Sequence, residues 1–166
     1  MEWSCADICD WKGDSVAYCD SFPFRHFTKR SRFFGPIQTV KCFEDNSKVK
    51  DLLAEPGQGK VLVVDGEGST RRALLGDLIA ASAIQNGWSG VLINGVVRDS
   101  EALSQLDALG ITALGTNPRK SDRKGAGTTG DQVAFAGLTF TPGQHVYVDQ
   151  DGIIVSQDVI VRPSTS

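Results

Sequence analysis

Two short apolar runs constrain the fold of this chain more than any other feature. Residues 61–64 and 91–93 contain only valine, leucine and isoleucine, with no polar residue to face solvent. Strands that are apolar on both faces are typical of a parallel sheet covered by other layers. Residues 78–85 between them have the spacing of a helix, and a second helix over 100–109 leads to a strand over 111–114. This order predicts a parallel α/β unit.

Composition and charge exclude several classes of protein. The chain has 166 residues, 40% of them hydrophobic and 22% charged, which predicts one globular domain. The net charge of −3 gives little attraction to nucleic acid or anionic membranes. No apolar run approaches the ~20 residues of a membrane span, and the first residues lack a signal-peptide pattern. The spacing of the four cysteines fits no zinc site, so we expect reduced thiols in a cytoplasmic protein.

The N-terminal segment is expected to pack against a core or a neighbouring subunit, and the last residues, 162–166, are expected to be a frayed tail. Residues 1–34 interleave phenylalanine with arginine and lysine, which we interpret as ring packing on a core or a neighbouring subunit rather than nucleic-acid binding. A polar loop over 115–127 precedes short strands, and residues 157–166 form a tail. The single domain therefore spans residues 1–166. The predicted late strands are Val133–Phe135, Leu138–Phe140, His145–Val148 and Ile153–Val155.

Two aspartates stand where predicted helices begin. Asp77 and Asp99 are both explained as N-caps, as Ser47 is for a helix over 48–55, and Arg98 as a surface residue. A second interpretation starts from the twenty residues between Asp77 and Arg98. That length is about one helix, one turn and one strand, so the chain returns to the same edge of the sheet. Ligands bind at this edge in open α/β sheets. This spacing therefore predicts that Asp77, Arg98 and Asp99 share one crevice.

Such a crevice has defined chemistry. Carboxylates suit Mg²⁺, which takes one or two protein carboxylates and keeps several waters. The backbone N–H groups of Leu78 and Ile79, at a helix start, would cradle an anionic group. Arg98 offers a planar donor pair to a carboxylate or a developing enolate oxygen. Together these groups suit a 2-keto acid, while capping alone remains the other explanation.

Several sequence blocks together carry a family resemblance. The blocks are KCFEDN (41–46), VLVVDG (61–66), GDLIA (76–80), NGWSGV (86–91), GVVRD (95–99), ALGTNPRKS (113–121) and DQDGII (149–154). Over residues 35–156 the chain is similar to the family of the regulator of ribonuclease E activity A and the related 4-hydroxy-4-methyl-2-oxoglutarate aldolases. This resemblance implies an α/β fold of the three-layer β/β/α swivelling-domain type, phosphohistidine-domain-like, in a homotrimer or hexamer with sites between subunits.

The resemblance also implies roles for the crevice residues. Family members active as aldolases carry Asp, twenty residues and then Arg-Asp, a pattern that Asp77, Arg98 and Asp99 match. Other active members place an acid three residues after the second Asp, where this chain has Ala102. By resemblance, Asp99 ligates Mg²⁺ or Mn²⁺, and Asp77 lies in the water shell of the metal. Arg98 and the segment Gly76, Leu78 and Ile79 hold the pyruvoyl end of a substrate.

The implied activity is a metal-dependent retro-aldol cleavage of 4-hydroxy-2-keto acids to pyruvate, with oxaloacetate decarboxylation as a second activity. The alternative is a non-catalytic inhibitor of a ribonuclease E-type partner, the role of the branch that gives the family its name. Direct RNA binding through a basic loop is weaker, because Asp122 interrupts the cluster. That cluster contains Arg119, Lys120, Arg123 and Lys124. Longer aldolases have C-terminal sequence beyond the shared part, and Gln144 replaces an Asp of many relatives.

Overall fold

The computed structural model describes residues 2–164, and they form a mixed α/β fold. A nine-stranded mixed sheet dominates it, and a two-stranded hairpin completes the strands of this part of the chain. In chain order the elements are α1 (Cys5–Lys12), a 3-10 turn (Gly13–Ser15), β1 (Ala17–Tyr18), β2 (Arg25–His26), β3 (Phe33–Lys41), α2 (Ser47–Leu53), β4 (Val61–Asp65), α3 (Asp77–Gln85), β5 (Gly90–Val97), α4 (Ser100–Leu103), β6 (Gly110–Thr116), β7 (Thr128–Thr129), β8 (Val133–Phe135), β9 (Leu138–Phe140), β10 (His145–Val148) and β11 (Ile153–Ser156).

The centre of the sheet is parallel, as the apolar runs predict. Strands β3, β4, β5 and β6 are neighbours in that order, and each adjacent pair is parallel. Every residue of β4 is buried, because layers cover both of its faces. Antiparallel strands extend the two edges: β10 pairs with β3, and β2 pairs with β6. The predicted unit β4–α3–β5–α4–β6 is confirmed.

Side chains alternate between two core clusters along β4. Leu62 and Val64 pack in a cluster that contains the apolar faces of α2, α3 and α4. Val61 and Val63 pack in a second cluster with residues of the β8–β9 hairpin and of β10 and β11. Successive side chains of a strand point to opposite faces, so the helices lie on one side of the central sheet and the hairpin on the other.

Phe33 explains a glycine pair inside the sheet. Gly90 of β5 and Gly110 of β6 are directly paired, and a Cβ on either residue would overlap the Phe33 ring. The ring is 3% exposed, so it fills the space that the two missing side chains leave. This contact ties the N-terminal segment to the first residues of both central strands.

Two helix predictions need correction. The predicted helix over 100–109 ends at Leu103, because the next amides form tight turns: the Gln105 amide donates to the Ala102 carbonyl and the Leu106 amide to the Leu103 carbonyl. The carbonyl of Leu106 accepts from the Lys29 amide, and that of Leu109 accepts from the Thr28 hydroxyl. The helix predicted over 48–55 is α2. Ser47 is its first residue rather than its cap, since its amide and hydroxyl both donate to Asp45 Oδ1.

The terminal segments pack on the sheet. Ser4 caps α1 by accepting from the Asp7 amide. Phe24, Phe27 and Phe33 are buried, in line with the packing interpretation of residues 1–34. Ile160 of the tail is buried, and its amide donates to the Tyr147 hydroxyl; the last two residues, 165 and 166, lie outside the described residues. No helix in residues 2–164 has the length and apolar character needed to cross a bilayer.

Candidate active site

The candidate site lies where β5 ends and α3 begins. The segment 73–75 runs beside the end of β5: the Leu74 amide donates to the Val96 carbonyl, and the Arg98 amide donates to the Leu75 carbonyl. On its other side the Ala73 amide donates to the Arg119 carbonyl. This short extended segment delivers Gly76 and the first turn of α3 to the carboxyl edge of the parallel strands. Crevices at this edge commonly bind ligands in α/β sheets.

Asp99 does not cap the helix that follows it. It stands at the N-cap position of α4 with a left-handed backbone (φ 61°), and its side chain makes no capping bond there. Its Oδ2 atom instead accepts from the Asp77 amide at 3.0 Å. The cap of α3 is Gly76, and Asp77 is the first helical residue, so the prediction of Asp77 as an N-cap is wrong. The two aspartates are joined across twenty-two positions by this bond.

Gly76 is required by the closeness of Asp99. A Cβ at position 76 would lie 2.5 Å from Asp99 Oδ2 and 3.3 Å from Arg98 Cγ. The backbone of Gly76 is extended (φ −137°), so any residue type could adopt its conformation. The glycine is therefore needed for space rather than for backbone freedom, and the space holds the Arg98 and Asp99 side chains.

Arg98 and the start of α3 are free to receive an anion. Arg98 is partly buried, and its side chain has no salt bridge or hydrogen bond within residues 2–164. The first bond along α3 runs from the Ala80 amide to the Gly76 carbonyl. The amides of Leu78 and Ile79 precede it and have no carbonyl of their own helix to bind. Unpaired amides at a helix start, next to an unpaired guanidinium, attract a carboxylate.

One cavity collects these groups. Every residue predicted for the site lines it, so the structure brings together Asp77, Arg98 and Asp99 with Gly76, Leu78 and Ile79. Leu78 stands at its rim with 82% of its surface exposed. The remaining lining residues are Asn46, Ala73, Leu75, Lys120, Ser121 and Arg123.

The loop after β6 supplies part of the lining, and Asp45 holds that loop. Asp45 is 3% exposed, and its Oδ2 accepts from the Lys124 amide at 2.8 Å and from the Ala126 amide at 3.4 Å. Burial by itself would raise the pKa of Asp45, but the bonds from the Ser47 side chain and from three backbone amides lower the pKa below its ordinary value. Asp45 is therefore an ionised anchor for the loop.

Comparison with known proteins assigns the chain to a family. Residues 5–155 match the RraA-like family, described as Aldolase/RraA. A curated protein from Hahella chejuensis, named "Putative 4-hydroxy-4-methyl-2-oxoglutarate aldolase", is 47% identical over 163 residues, which is 98% of each chain. The chain belongs to the RraA-like family. The resemblance drawn from the sequence blocks is thereby confirmed.

Two solved structures share the whole fold of this chain. A crystal structure from Geobacillus kaustophilus, described as an S-adenosylmethionine:2-dimethylmenaquinone methyltransferase, is 39% identical with a TM-score of 0.93. The match covers 98% of this chain and 100% of the Geobacillus chain. The RNA-processing inhibitor RraA from Thermus thermophilus is 36% identical with a TM-score of 0.92, over 97% of this chain and 96% of that one. The relatives carry three different functional names, so the residues of the site must distinguish among them.

The site of this RraA-like chain has the donor set for a hard divalent cation. The Asp77 carboxylate and the Oδ1 atom of Asp99 accept no hydrogen bond within residues 2–164, and both residues are exposed. No group of three or more histidine, cysteine, aspartate or glutamate side chains in this range is arranged to hold a metal. An ion here would be held by one or two carboxylates and would complete its shell with water and substrate. Mg²⁺ and Mn²⁺ sites commonly have this composition.

Reasoning from the sequence missed part of the lining. Asn46 and Ser121 lie in blocks that carry the family resemblance, yet the sequence predicts no role for them. Lys120 and Arg123 were interpreted as part of a solvated loop or a weak RNA site. They reach the cavity because Ala73 is bridged to Lys120 and Asp45 to Asp122, in parallel pairings between distant segments. The spacing of residues along the chain does not encode such pairings.

Proposed function

We propose that this RraA-like protein is a divalent-metal-dependent carbon–carbon lyase. Its substrates would be 4-hydroxy-4-methyl-2-oxoglutarate or related 4-hydroxy-2-keto acids, cleaved to pyruvate. One observation carries the proposal. The Asp99 side chain does not cap the helix that follows it but accepts a hydrogen bond from the Asp77 amide, next to an unpaired Arg98 and the unpaired amides of α3. A cap has no need of this arrangement. The aldolase name of the Hahella relative, given as putative, supports the same reaction class.

The chain's own residues define most of the mechanism. The amides of Leu78 and Ile79 would bind the C1 carboxylate, and the Arg98 guanidinium would donate to the C2 keto oxygen. Cleavage of the C3–C4 bond sends its electron pair toward C2, and the keto oxygen becomes an enolate oxygen that Arg98 stabilises. A water hydrogen-bonded to Asp77 takes the proton of the C4 hydroxyl, which becomes the second carbonyl product. Protonation of the enolate at C3 gives pyruvate.

Asp99, with Asp77 beside it, would hold the metal. A divalent cation bound there would supply Lewis acidity toward the keto oxygen. Oxaloacetate loses carbon dioxide through the same pyruvate enolate, so we expect the same residues to support its decarboxylation. In that reaction the electrons of the C3–C4 bond again move toward C2, where Arg98 stabilises the oxygen.

Pyruvate release by purified protein tests the proposal. With Mg²⁺ or Mn²⁺, the wild type should release pyruvate from oxaloacetate and from 4-hydroxy-4-methyl-2-oxoglutarate. Arg98→Met should lower kcat/KM by about 100-fold or more, the usual effect of removing one oxyanion donor. Arg71→Met is a matched control, since Arg71 lies outside the cavity and pairs with Glu44. Equal activity of Arg98→Met and wild type would remove Arg98 from the mechanism.

The alternative function is inhibition of a ribonuclease E-type endonuclease. The relative from Thermus thermophilus, at 36% identity, is described as an RNA-processing inhibitor and favours this alternative. The two roles are not mutually exclusive. A binding assay with a purified ribonuclease E-type enzyme, together with the turnover assay, separates them. Tight binding without turnover of any 4-hydroxy-2-keto acid would leave only the inhibitor role.

We infer a three-layer β/β/α sandwich of the swivelling, phosphohistidine-domain-like type, with helices and hairpin on opposite sides of the central sheet. We propose a homotrimer or hexamer in the cytoplasm. The 82% exposure of Leu78 at the cavity rim supports contact of this edge with a neighbouring subunit. The four cysteines are not paired with one another, and unpaired thiols are commonest in reducing compartments.

A further inference from the structure

Three of the four cysteines line one small cavity, far along the sheet from the lyase site. Cys5 and Cys9 face it from α1, and Cys19 faces it from the end of β1, where its amide donates to the Ile153 carbonyl at 3.2 Å. The cavity has a volume of about 170 Å³. The fourth cysteine, Cys42, is buried in the core cluster beneath the helices. The lyase mechanism uses none of these thiols, so the cluster is free for a different chemistry.

Gly152, at the start of β11, brings the thiols together. A Cβ on Gly152 would lie 3.6 Å from Cys19 Sγ, and the Gly152 carbonyl oxygen lies 3.6 Å from Cys5 Sγ. Cys9 lies one helical turn after Cys5, on the same face of α1. Burial raises the pKa of the Cys9 thiol, and nearby ionisable groups, the Cys19 thiol among them, raise it further. Cys9 and Cys19 are therefore close enough for their charges to interact.

Cys5 differs from the other two in its surroundings. It is 5% exposed, and its thiol donates to the Tyr147 carbonyl at 3.7 Å and to the Gly152 carbonyl at 3.6 Å. Burial raises its pKa well above the ordinary value, so it forms little of the thiolate that reacts. Cys9 and Cys19 are partly exposed, and neither thiol makes a hydrogen bond within residues 2–164. A reagent from solvent therefore reaches these two and not Cys5.

We propose that Cys9 and Cys19 form a reversible disulfide when the protein meets an oxidised low-molecular-weight disulfide such as oxidised glutathione, and that this bond fixes α1 to the sheet edge at β1. The Cys19 thiolate attacks one sulfur of oxidised glutathione, and one glutathione thiol leaves. The Cys9 thiolate then attacks Cys19 Sγ, and the second glutathione thiol leaves. The two cysteines together lose two protons and two electrons, and one oxidised glutathione is reduced to two thiols.

The turn between α1 and β1 allows the two sulfurs to meet. A disulfide requires its two Cα atoms to lie within about 7 Å of each other, so α1 must close over the cavity that separates it from β1. Gly13 follows α1 directly, with φ 50° and no atom within 4 Å of an added Cβ. This open, glycine-containing turn has room for the movement. The bond would close a short loop over residues 9–19.

Mass spectrometry of the full chain tests the pairing. The reduced protein is treated with oxidised glutathione, blocked with iodoacetamide and digested with trypsin without a reductant. Cleavage after Lys12 and Arg25 leaves peptide 1–12, which contains Cys5 and Cys9, and peptide 13–25, which contains Cys19. The wild type should give these two peptides joined, and dithiothreitol should separate them. A second digestion with endoproteinase Asp-N cleaves before Asp7, so the wild type alone tells which cysteine of peptide 1–12 is bound.

Two variants and the buried thiol provide the controls. Cys9→Ser should abolish the joined peptides, Cys5→Ala should still form them, and Cys42 should stay reduced in the wild type. A bond from Cys19 to Cys5, joined peptides in Cys9→Ser, a bond between two chains on a non-reducing gel, or glutathione adducts alone would each overturn the inference.

Thermal unfolding tests whether the bond fixes α1. The oxidised wild type should melt about 5 °C above the reduced protein, because the closed loop restricts the unfolded chain. Cys9→Ser treated in the same way should show no shift. An oxidised wild type that melts at the same or a lower temperature would overturn the fixing of α1. Neither measurement uses pyruvate release, so failure of the proposed function would leave this inference standing.

Discussion

At the scale of single residues, Asp99 and Gly76 act together to position the Asp99 carboxylate. The left-handed backbone of Asp99 turns its carboxylate toward the Asp77 amide, and the missing side chain of Gly76 leaves room for it. Non-glycine residues adopt this backbone conformation uncommonly, and observed cases cluster at functional sites. The pair therefore distinguishes a built site from two adjacent helix starts.

Gly76→Ala is predicted to reduce activity more than stability. The added Cβ would lie 2.5 Å from Asp99 Oδ2, so the carboxylate must move away from the Asp77 amide. We expect kcat/KM for pyruvate release to fall about 100-fold, because small displacements of reacting groups have effects of this size. Gly115→Ala is the control, since its Cβ would meet only Val96 Cγ1 at 3.9 Å. Full activity of Gly76→Ala would show that the Asp99 position is unimportant.

At the scale of elements, the loop after β6 depends on Asp45. Its two carboxylate oxygens receive four donors, from the amide and hydroxyl of Ser47 and from the amides of Lys124 and Ala126. Asp45→Ala leaves these donors without their acceptor, and we expect the free energy of unfolding to fall by about 2–4 kcal/mol. Urea unfolding measures this change. Asp122→Ala, which removes only partly exposed ion pairs, should cost less than about 1 kcal/mol.

His26 makes the stability of the sheet edge depend on pH. Nε2 lies 3.0 Å from the Asp149 carbonyl, which only accepts, so the neutral ring donates from Nε2 and accepts from the Thr112 hydroxyl at Nδ1. Burial lowers the pKa of His26 below its ordinary value of 6.5. As the pH falls below about 6.5, His26 becomes protonated in the unfolded chain but stays neutral in the folded chain. The free energy of unfolding should therefore have its full value above that pH and decrease as the pH falls below it.

Urea unfolding between pH 8 and pH 5 measures the effect of His26. The His26→Gln variant keeps a donor for the Asp149 carbonyl but does not titrate, so its unfolding free energy should vary less over this range. Asp45 contributes to the free energy of unfolding in a separate, lower pH range. Because its pKa is lowered in the folded state, its stabilisation is present above the ordinary pKa of about 4 and is lost as pH falls through the folded value. Identical pH profiles for His26→Gln and wild type would contradict the assignment.

The sequence predicts elements best where one pattern decides them alone. The runs at β4 and β5 are apolar on every residue, and the strands and their parallel pairing follow. The helix predicted over 100–109 stops at Leu103 because the Gln105 and Leu106 amides bond the carbonyls three residues before them, and the segment that follows is bound by Lys29 and Thr28, far away in the chain. The crevice of Asp77, Arg98 and Asp99 follows from strand topology. The contribution of Lys120 does not, since it depends on a bridge to Ala73 that has no local signature.

At the scale of the whole molecule, the fold brings four distant segments to one edge of the sheet. Asn46 follows β3, Gly76 caps α3, Arg98 follows β5, and Lys120 follows β6. Parallel strands end at the same edge, so each loop that leaves that edge contributes to one cavity. The site therefore exists only in the folded chain, and its chemistry depends on the complete sheet.

The most direct test of the central claim, that Asp77, Arg98 and Asp99 form a metal-dependent lyase site, is pyruvate release from 4-hydroxy-4-methyl-2-oxoglutarate by wild type and Asp99→Asn. Both proteins are treated with EDTA and then titrated with Mg²⁺. The wild type should lose activity and recover it fully. Asp99→Asn keeps an acceptor for the Asp77 amide but loses the negative charge, so it should remain at least about 100-fold less active at every Mg²⁺ concentration. Activity that survives EDTA, or an Asp99→Asn variant as active as the wild type, would contradict the claim.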